Sequence, residues 1–324
     1  MNLLSSTYVF SFFTLISRIL GYLRDILIAI FLGASIFADA FFVAFRLPNT
    51  FRRLFAEGTF NAAFIPSYTA EKIKSKKKGK RFADEVLTLL ILGLLTIVLI
   101  VEILTPYVVY LIAPGFLDDD NKFNLAVDLT RITFPFLAFV SLSSFFAGIL
   151  NSENKFAAAA AAPIFLNLIL ILSLIISYYF NLDYALNLSY GVSLSGFIQL
   201  IFLIFFTLKF YQPSLILRNK IRKKVKFFLK KLLPSIFSSG VTQISILVGT
   251  IIASFQAGAV SYLYYADRIY QINLAIAGIA VSTVSLPVLS KLIKNKKITQ
   301  ANKVQNKSLE LSLLLSLPAS IALI

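Results

Sequence analysis

The N-terminal 58 residues are predominantly apolar, yet they carry Arg18, Arg24, Arg46, Arg52 and Arg53 together with Asp25, Asp39 and Glu57. Arg18, Gly21 and Asp25 fall on one helical face, and Ser17, Arg24 and Ile28 on an adjacent one. Asp39, Arg46 and Arg53 recur at steps of seven, with Asn49 and Glu57 on the same stripe, while Arg52 lies about 100° around it. An ionised side chain facing lipid costs roughly 2.5 to 3.5 kcal/mol or more, so these groups are expected to face a bundle interior or a water-filled cavity. Two uses compete. In one, Arg18 or Arg24 balances Asp25 or Asp39, and Arg53 balances Glu57, as structural ties. In the other, the cationic excess, enlarged by Arg268, binds an anion with several oxygens such as a diphosphate, which suits guanidinium forks. Asp25 is open to either role, orienting an arginine or meeting the ligand.

Bond-breaking chemistry finds little support. With no Cys and no His, the chain lacks thiolate ligands, disulfides and the usual acid or base at neutral pH. No Walker A pattern is present, and the nearest carboxylate cluster, Asp118 to Asp120, sits in a short loop. No catalytic residue, metal site or cofactor is therefore expected, and the chain reads as something other than an enzyme.

The elements that must position these charges are membrane helices. Of 324 residues, 58% are hydrophobic, more than a soluble core of this size would bury. Apolar segments lie at about 3–31, 37–69, 85–113, 127–150, 156–180, 186–208, 232–254, 260–290 and 308–324, each near or above the roughly 20 residues of a spanning helix. Most Lys and Arg behind the net charge of +16 fall in three stretches, Lys72 to Arg81, Lys209 to Lys231 and Lys291 to Lys307. Four segments separate the first stretch from the second and two separate the second from the third, an even number each time, so all three share one side. The positive-inside rule makes that side the cytoplasm of a bacterial inner-membrane protein whose N-terminus is cytoplasmic. Topology thus accounts for the basic runs without nucleic acid, and anionic phospholipids are their expected partners. The first segment carries internal charge and no cleavage pattern, so it is expected to stay as helix 1. The last stops in mid-helix at Ile324, which reads as a truncated chain.

A faint parallel repeat relates Asp39 and Arg46 through Pro66 to Asp267 and Arg268 through Pro287. The expected fold is all-α: a polytopic transmembrane helical bundle of two-lobed transporter type, truncated in the second lobe. Residues 1–208 form the first lobe, 209–231 a basic linker whose 218–231 part is amphipathic, and 232–324 the start of the second lobe. Pro48 is expected to bend helix 2. The amides Asn167, Gln199, Gln243 and Asn273 read as interhelix hydrogen bonds.

Ser17-Arg18-Ile19-Leu20-Gly21-Tyr22-Leu23-Arg24-Asp25, then Asp39-Ala40-Phe41-Phe42-Val43-Ala44-Phe45-Arg46-Leu47-Pro48-Asn49 and Arg52-Arg53-Leu54-Phe55-Ala56-Glu57-Gly58, resemble the N-terminal signature of the MurJ/MviN lipid II flippases. These belong to the superfamily of multidrug, oligosaccharidyl-lipid and polysaccharide exporters. The resemblance continues through Gly148-Ile149-Leu150-Asn151 and Tyr264-Tyr265-Ala266-Asp267-Arg268, and departs at Gln271-Ile272-Asn273-Leu274-Ala275 and Gly249. It implies a flippase that moves lipid II, the undecaprenyl-diphosphate-linked disaccharide pentapeptide, between leaflets for peptidoglycan synthesis. It also implies that Arg18, Arg24, Arg52 and Arg268 are cavity arginines and that Asp25, Asp39 and Glu57 are the family's acidic positions. The alternative is an exporter of another polyprenyl-linked oligosaccharide or of a drug.

Overall fold

The computed structural model describes residues 3–56, 59–216, 222–273, 281–295 and 297–321. They are helical apart from turns and short connections, and they divide into two compact units, Met1–Ser261 and Tyr262–Ile324.

The first unit opens with α1 (Leu3–Leu32), α2 (Ile36–Ala56) and α3 (Thr59–Lys74). α1 ends at Gly33, whose φ of 59° is the left-handed conformation that terminates helices and favours glycine. The segment expected at 37–69 is covered by α2 and α3, with 57–58 outside the described residues. α4 (Lys76–Ile103) starts within the basic run, because the Ser75 hydroxyl caps it by accepting from Lys78 N at 3.1 Å. It stops just before Pro106, and α5 (Thr105–Ile112) completes the segment expected at 85–113. A single 3-10 turn (Pro114–Asp118) leads to α6 (Asp120–Thr133), capped by Asp119, and then to α7 (Phe136–Ser152). α8 (Phe156–Phe180) and α9 (Tyr184–Thr207) form an antiparallel pair joined by Asn181, in the left-handed conformation, and by Asp183, which caps α9 through Leu186 N at 2.7 Å. α10 (Lys223–Ala253) is one unbroken helix that takes in the described part of the amphipathic 218–231 stretch; 217–221 lie outside the described residues. α11 (Ala259–Asn273) contributes its first three residues to this unit.

Among the described residues, four stretches are long and apolar enough to cross a membrane: Lys76–Ile103, Asp120–Ser152, Phe156–Phe180 and Tyr184–Thr207. α6 and α7 count as one such stretch despite Pro135. The apolar surface faces outward: Leu99, Ile103, Leu172, Tyr179, Phe205 and Ile30 are all exposed. Inside, Ser141, Ser144, Thr130, Asn167, Ser195 and Gln199 are buried. That inversion of the soluble pattern is what lipid as solvent requires. The chain is an all-α, polytopic membrane bundle.

α2 runs through its centre, packed on α6 and α7 and buried on every side from Ala38 to Phe45. It continues through Pro48. Proline has no N–H to give the carbonyl four residues back, that of Ala44. The Thr133 hydroxyl of α6 supplies the missing donor at 2.9 Å. At the basic end, Phe60, Phe64, Phe82, Phe145 and Phe228 fill one core, bringing α3, α4, α7 and α10 together. In the second unit, α12 (Val281–Lys294) packs on α13 (Ile298–Ile321), with the Ser285 and Ser308 hydroxyls 2.6 Å apart.

Candidate functional site

α1 lies against α8 through the face that carries Arg24, Asp25 and Ile28, all buried. Arg24 sends Nε (3.0 Å) and one terminal nitrogen (2.6 Å) to Asp25 Oδ1, and the other terminal nitrogen to Asn167 Oδ1 of α8 at 2.8 Å. Asn167 Nδ2 in turn donates to the Ser17 carbonyl at 2.8 Å, about two turns before Arg24. Gly21 lies over the Asn167 amide at van der Waals distance. The network uses three of the five guanidinium N–H groups, and the Arg24–Asp25 pair is neutral as a unit. Removing Asn167 would leave its guanidinium partner short of an acceptor in a buried setting.

Arg18 differs. It is exposed on α1 at the edge of the apolar outer face, and it makes no ion pair or hydrogen bond among the described residues. A charge so placed in a membrane helix needs water or an anion.

On α2, Asp39 is fully buried at the opposite end from the basic run of α4. Its Oδ1 accepts from Ser261 N (2.9 Å) and Ser261 Oγ (2.6 Å), and its Oδ2 from Gly258 N (2.9 Å) and Lys122 Nζ (2.7 Å). A carboxylate has about four lone-pair sites, so protein donors occupy them all. Asp39 thereby acts as an external cap for the start of α11, where its charge also suits the helix dipole. Lys122 lies over the Phe116 ring, 4.1 Å from its centroid. Beside this cluster the 114–118 turn meets the 254–258 turn: Gly115 N donates to Ser254 Oγ at 3.0 Å, and a Cβ on Gly115 would stand 2.5 Å from the Ser254 carbonyl. Only glycine permits that approach.

Further along α2, Arg52 Nε donates to Asn49 Oδ1 at 3.0 Å, one turn back, and Arg46 is half-buried. The side chains of Arg53 and Glu57 lie outside the described residues. In the second unit Arg268 donates to the Tyr264 hydroxyl at 2.9 Å and to Gln271 at 3.4 Å, with its guanidinium 4.7 Å from the Tyr264 ring centroid. Arg24 and Asp25 are therefore brought together directly, whereas Asp39 pairs with a residue from elsewhere. Sequence reasoning assigned no role to Lys122, a lone base beside Asp118 to Asp120, nor to Gly258 and Ser261. Asn167 was legible as a bonding amide without its partner.

The family model described as "Lipid II flippase MurJ" matches residues 28–324. A probable lipid II flippase MurJ of Rhizobium tropici is 43% identical over 316 residues, covering 96% of this chain and 59% of that protein. Its counterpart in Rickettsia prowazekii (strain Madrid E) is 40% identical over 325 residues, 100% of this chain and 64% of that one. The solved structure of lipid II flippase MurJ in an inward closed conformation superposes with a TM-score of 0.80 at 28% identity, over 96% of this chain and 64% of that chain. An outward-facing multidrug resistance MATE transporter gives 0.61 at 17% identity over 98% and 71%, a likeness of fold alone. The chain spans about three-fifths of the length of the curated relatives it matches. Sequence and fold converge: the chain belongs to the MurJ family of lipid II flippases, which are transporters and not enzymes.

Proposed function

We propose that this protein moves lipid II from the cytoplasmic to the periplasmic leaflet by alternating access, with cavity arginines binding the diphosphate. The observation that carries the reading is the contrast within α1. Arg24 is buried and oriented by Asp25 and Asn167, while Arg18, less than two turns away, is exposed and makes no ion pair or hydrogen bond among the described residues. A neutralised, positioned guanidinium beside an unbalanced one is an arrangement that a diphosphate completes. Arg52, Arg53 and Arg268 extend the cationic set, and Glu57 belongs to its acidic positions.

The first lobe is residues 1–208, the linker 209–231 and the start of the second lobe 232–324. The basic ends of α4 and α10 lie in the cytoplasm, as does the N-terminus, which puts Asp39 and the 114–118 turn on the periplasmic side. There Asp39 acts as a latch: opening to the periplasm requires its bonds to Gly258 and Ser261 to break. The lipid tail stays in the bilayer while the head group crosses through the hydrated cavity. No bond is made or broken.

The test is transport by the full-length protein in proteoliposomes, scored by the fraction of lipid II that becomes accessible to an external enzyme. Time-dependent transfer of lipid II supports the reading. Transfer of an O-antigen precursor or a drug in its place would favour export of another substrate.

A further inference from the structure

The basic end of the first unit carries its charges unevenly. Its acids point inward and each is engaged: Glu71 with Lys74 at 2.5 Å, Glu153 with Lys72, Asp84 with Lys80 at 2.8 Å, and Glu85 with Arg222 at 2.6 Å. Asp84 also accepts from the Tyr211 hydroxyl at 2.7 Å and from Ser214 N at 3.1 Å, which pins the chain after α9 to α4. Lys76 to Lys78 in the first turn of α4, and Lys223, Lys224 and Lys226 in the first turn of α10, are left exposed. The two turns share one surface, because α10 packs on both α3 and α4. The Glu71 carboxyl is held below its usual range by the hydrogen bond from Lys74, with Lys224 and Arg222 adding to the field.

α10 is two-faced here. Val225 and Phe228 are buried in the phenylalanine core, whereas Phe227 is 56% exposed among the lysines, with Lys231 Nζ 4.5 Å from its ring centroid. Length explains where this face must lie. At 31 residues α10 is about 46 Å long. The hydrocarbon layer is about 30 Å thick, so about ten residues extend beyond it into the headgroup zone.

We infer that the first turns of α4 and α10 form a seat for anionic phospholipid headgroups, with the lysines on the phosphates and Phe227 at the boundary with the acyl chains. Charge complementarity selects the occupant. An aromatic ring flanked by lysines fits a surface that is anionic outside and apolar just beneath, and that description is met by the leaflet in which α10 already stands. The inference rests on the membrane fold alone and is independent of the substrate proposed above.

Since the 324 residues contain no Trp, Phe227→Trp introduces a single reporter. The full chain is reconstituted in mixed vesicles of phosphatidylcholine and phosphatidylglycerol, with bromine on the acyl chains of one lipid at a time. Quenching then gives the relative association constant of the two lipids at position 227. The expected result is a preference for phosphatidylglycerol of about fivefold or more, falling toward unity when Lys223, Lys224 and Lys226 are changed together to Gln. A Leu99→Trp reporter on the outer apolar face of α4 should give a ratio near one with or without those changes, which checks that the lysine variant is inserted. Equal quenching by the two lipids at position 227, a preference that survives the lysine changes, or no quenching by either lipid, as for a patch occupied by a soluble acidic protein, would overturn the inference.

Discussion

Thr133 makes a sharp test of how α2 is held. Thr133→Val keeps the shape of the side chain and removes its hydroxyl, so the packing of a fully buried position is preserved. What is lost is the 2.9 Å donor to the Ala44 carbonyl, which Pro48 deprives of its helical partner. An unsatisfied buried acceptor costs about 1 to 3 kcal/mol. We expect about 2 kcal/mol, roughly a 30-fold change in the folded ratio. Pro48→Ala supplies an N–H to the same carbonyl, so the double variant Thr133→Val/Pro48→Ala should recover at least half of the loss. The assay is equilibrium denaturation of the purified chain in detergent micelles, followed by circular dichroism, for the wild type, both single variants and the double. A neutral Thr133→Val, or a double variant whose loss equals the sum of the singles, would refute the argument that the hydroxyl substitutes for the missing amide.

Three further outcomes follow from the same contacts. Lys122→Met strips the ion pair from the buried Asp39 and should cost about 3 kcal/mol, the low end for a broken buried pair because Gly258 and Ser261 still donate. Combined with Asp39→Asn, the loss should fall short of additivity by at least about 1 kcal/mol in a double-mutant cycle, and additive losses would count against the pair. Gly115→Ala puts a methyl group against the Ser254 backbone and should separate the two turns, raising the reactivity of a cysteine introduced at the buried Ser254 toward a membrane-impermeant maleimide; unchanged labelling would argue that the turns do not touch. Glu71, whose carboxyl is held low by Lys74, contributes stability that is present above its unfolded pKa of about 4.3 and is lost as pH falls below it. Acid denaturation of Glu71→Gln should therefore be less steep between about pH 5 and pH 3 than that of the wild type.

What could be read in the sequence is what a periodic pattern encodes. The apolar segments at 156–180 and 186–208 became α8 and α9 almost to the residue, because length and hydropathy alone define them. The segment at 85–113 became a helix pair divided just before Pro106, and the stretch around 127–150 is divided at Pro135 between α6 and α7, whereas α2 continues through Pro48, where the Thr133 hydroxyl supplies the missing donor. Helical spacing placed Arg24 and Asp25 on faces of α1 correctly enough to make them neighbours of a bundle interior. It did not identify Asn167, 143 positions away, as the acceptor for Arg24, because spacing gives a face and tertiary packing gives the partner. Lys122 was opaque for the same reason. A long side chain in an acidic loop reads as solvated, and only the fold brings it to Asp39, 83 positions earlier. The Thr133 hydroxyl had no signal at all, being one of many threonines until Pro48 was set beside it.

The central claim is that Arg24 is held by Asp25 and Asn167 in order to present a guanidinium to the substrate diphosphate. The direct measurement is growth of a lipid II flippase-depleted strain, with immunoblots for abundance, on full-length protein carrying Arg24→Lys, Arg24→Ala, Asp25→Ala or the double change Arg24→Ala/Asp25→Ala. Lysine keeps the charge and loses the fork, so the account predicts failure of Arg24→Lys at near-normal abundance, and failure of the double variant although its buried charge is balanced. Full growth with lysine at position 24, or recovery of growth in the double variant, would show that Arg24 serves only to neutralise Asp25 and would contradict the account.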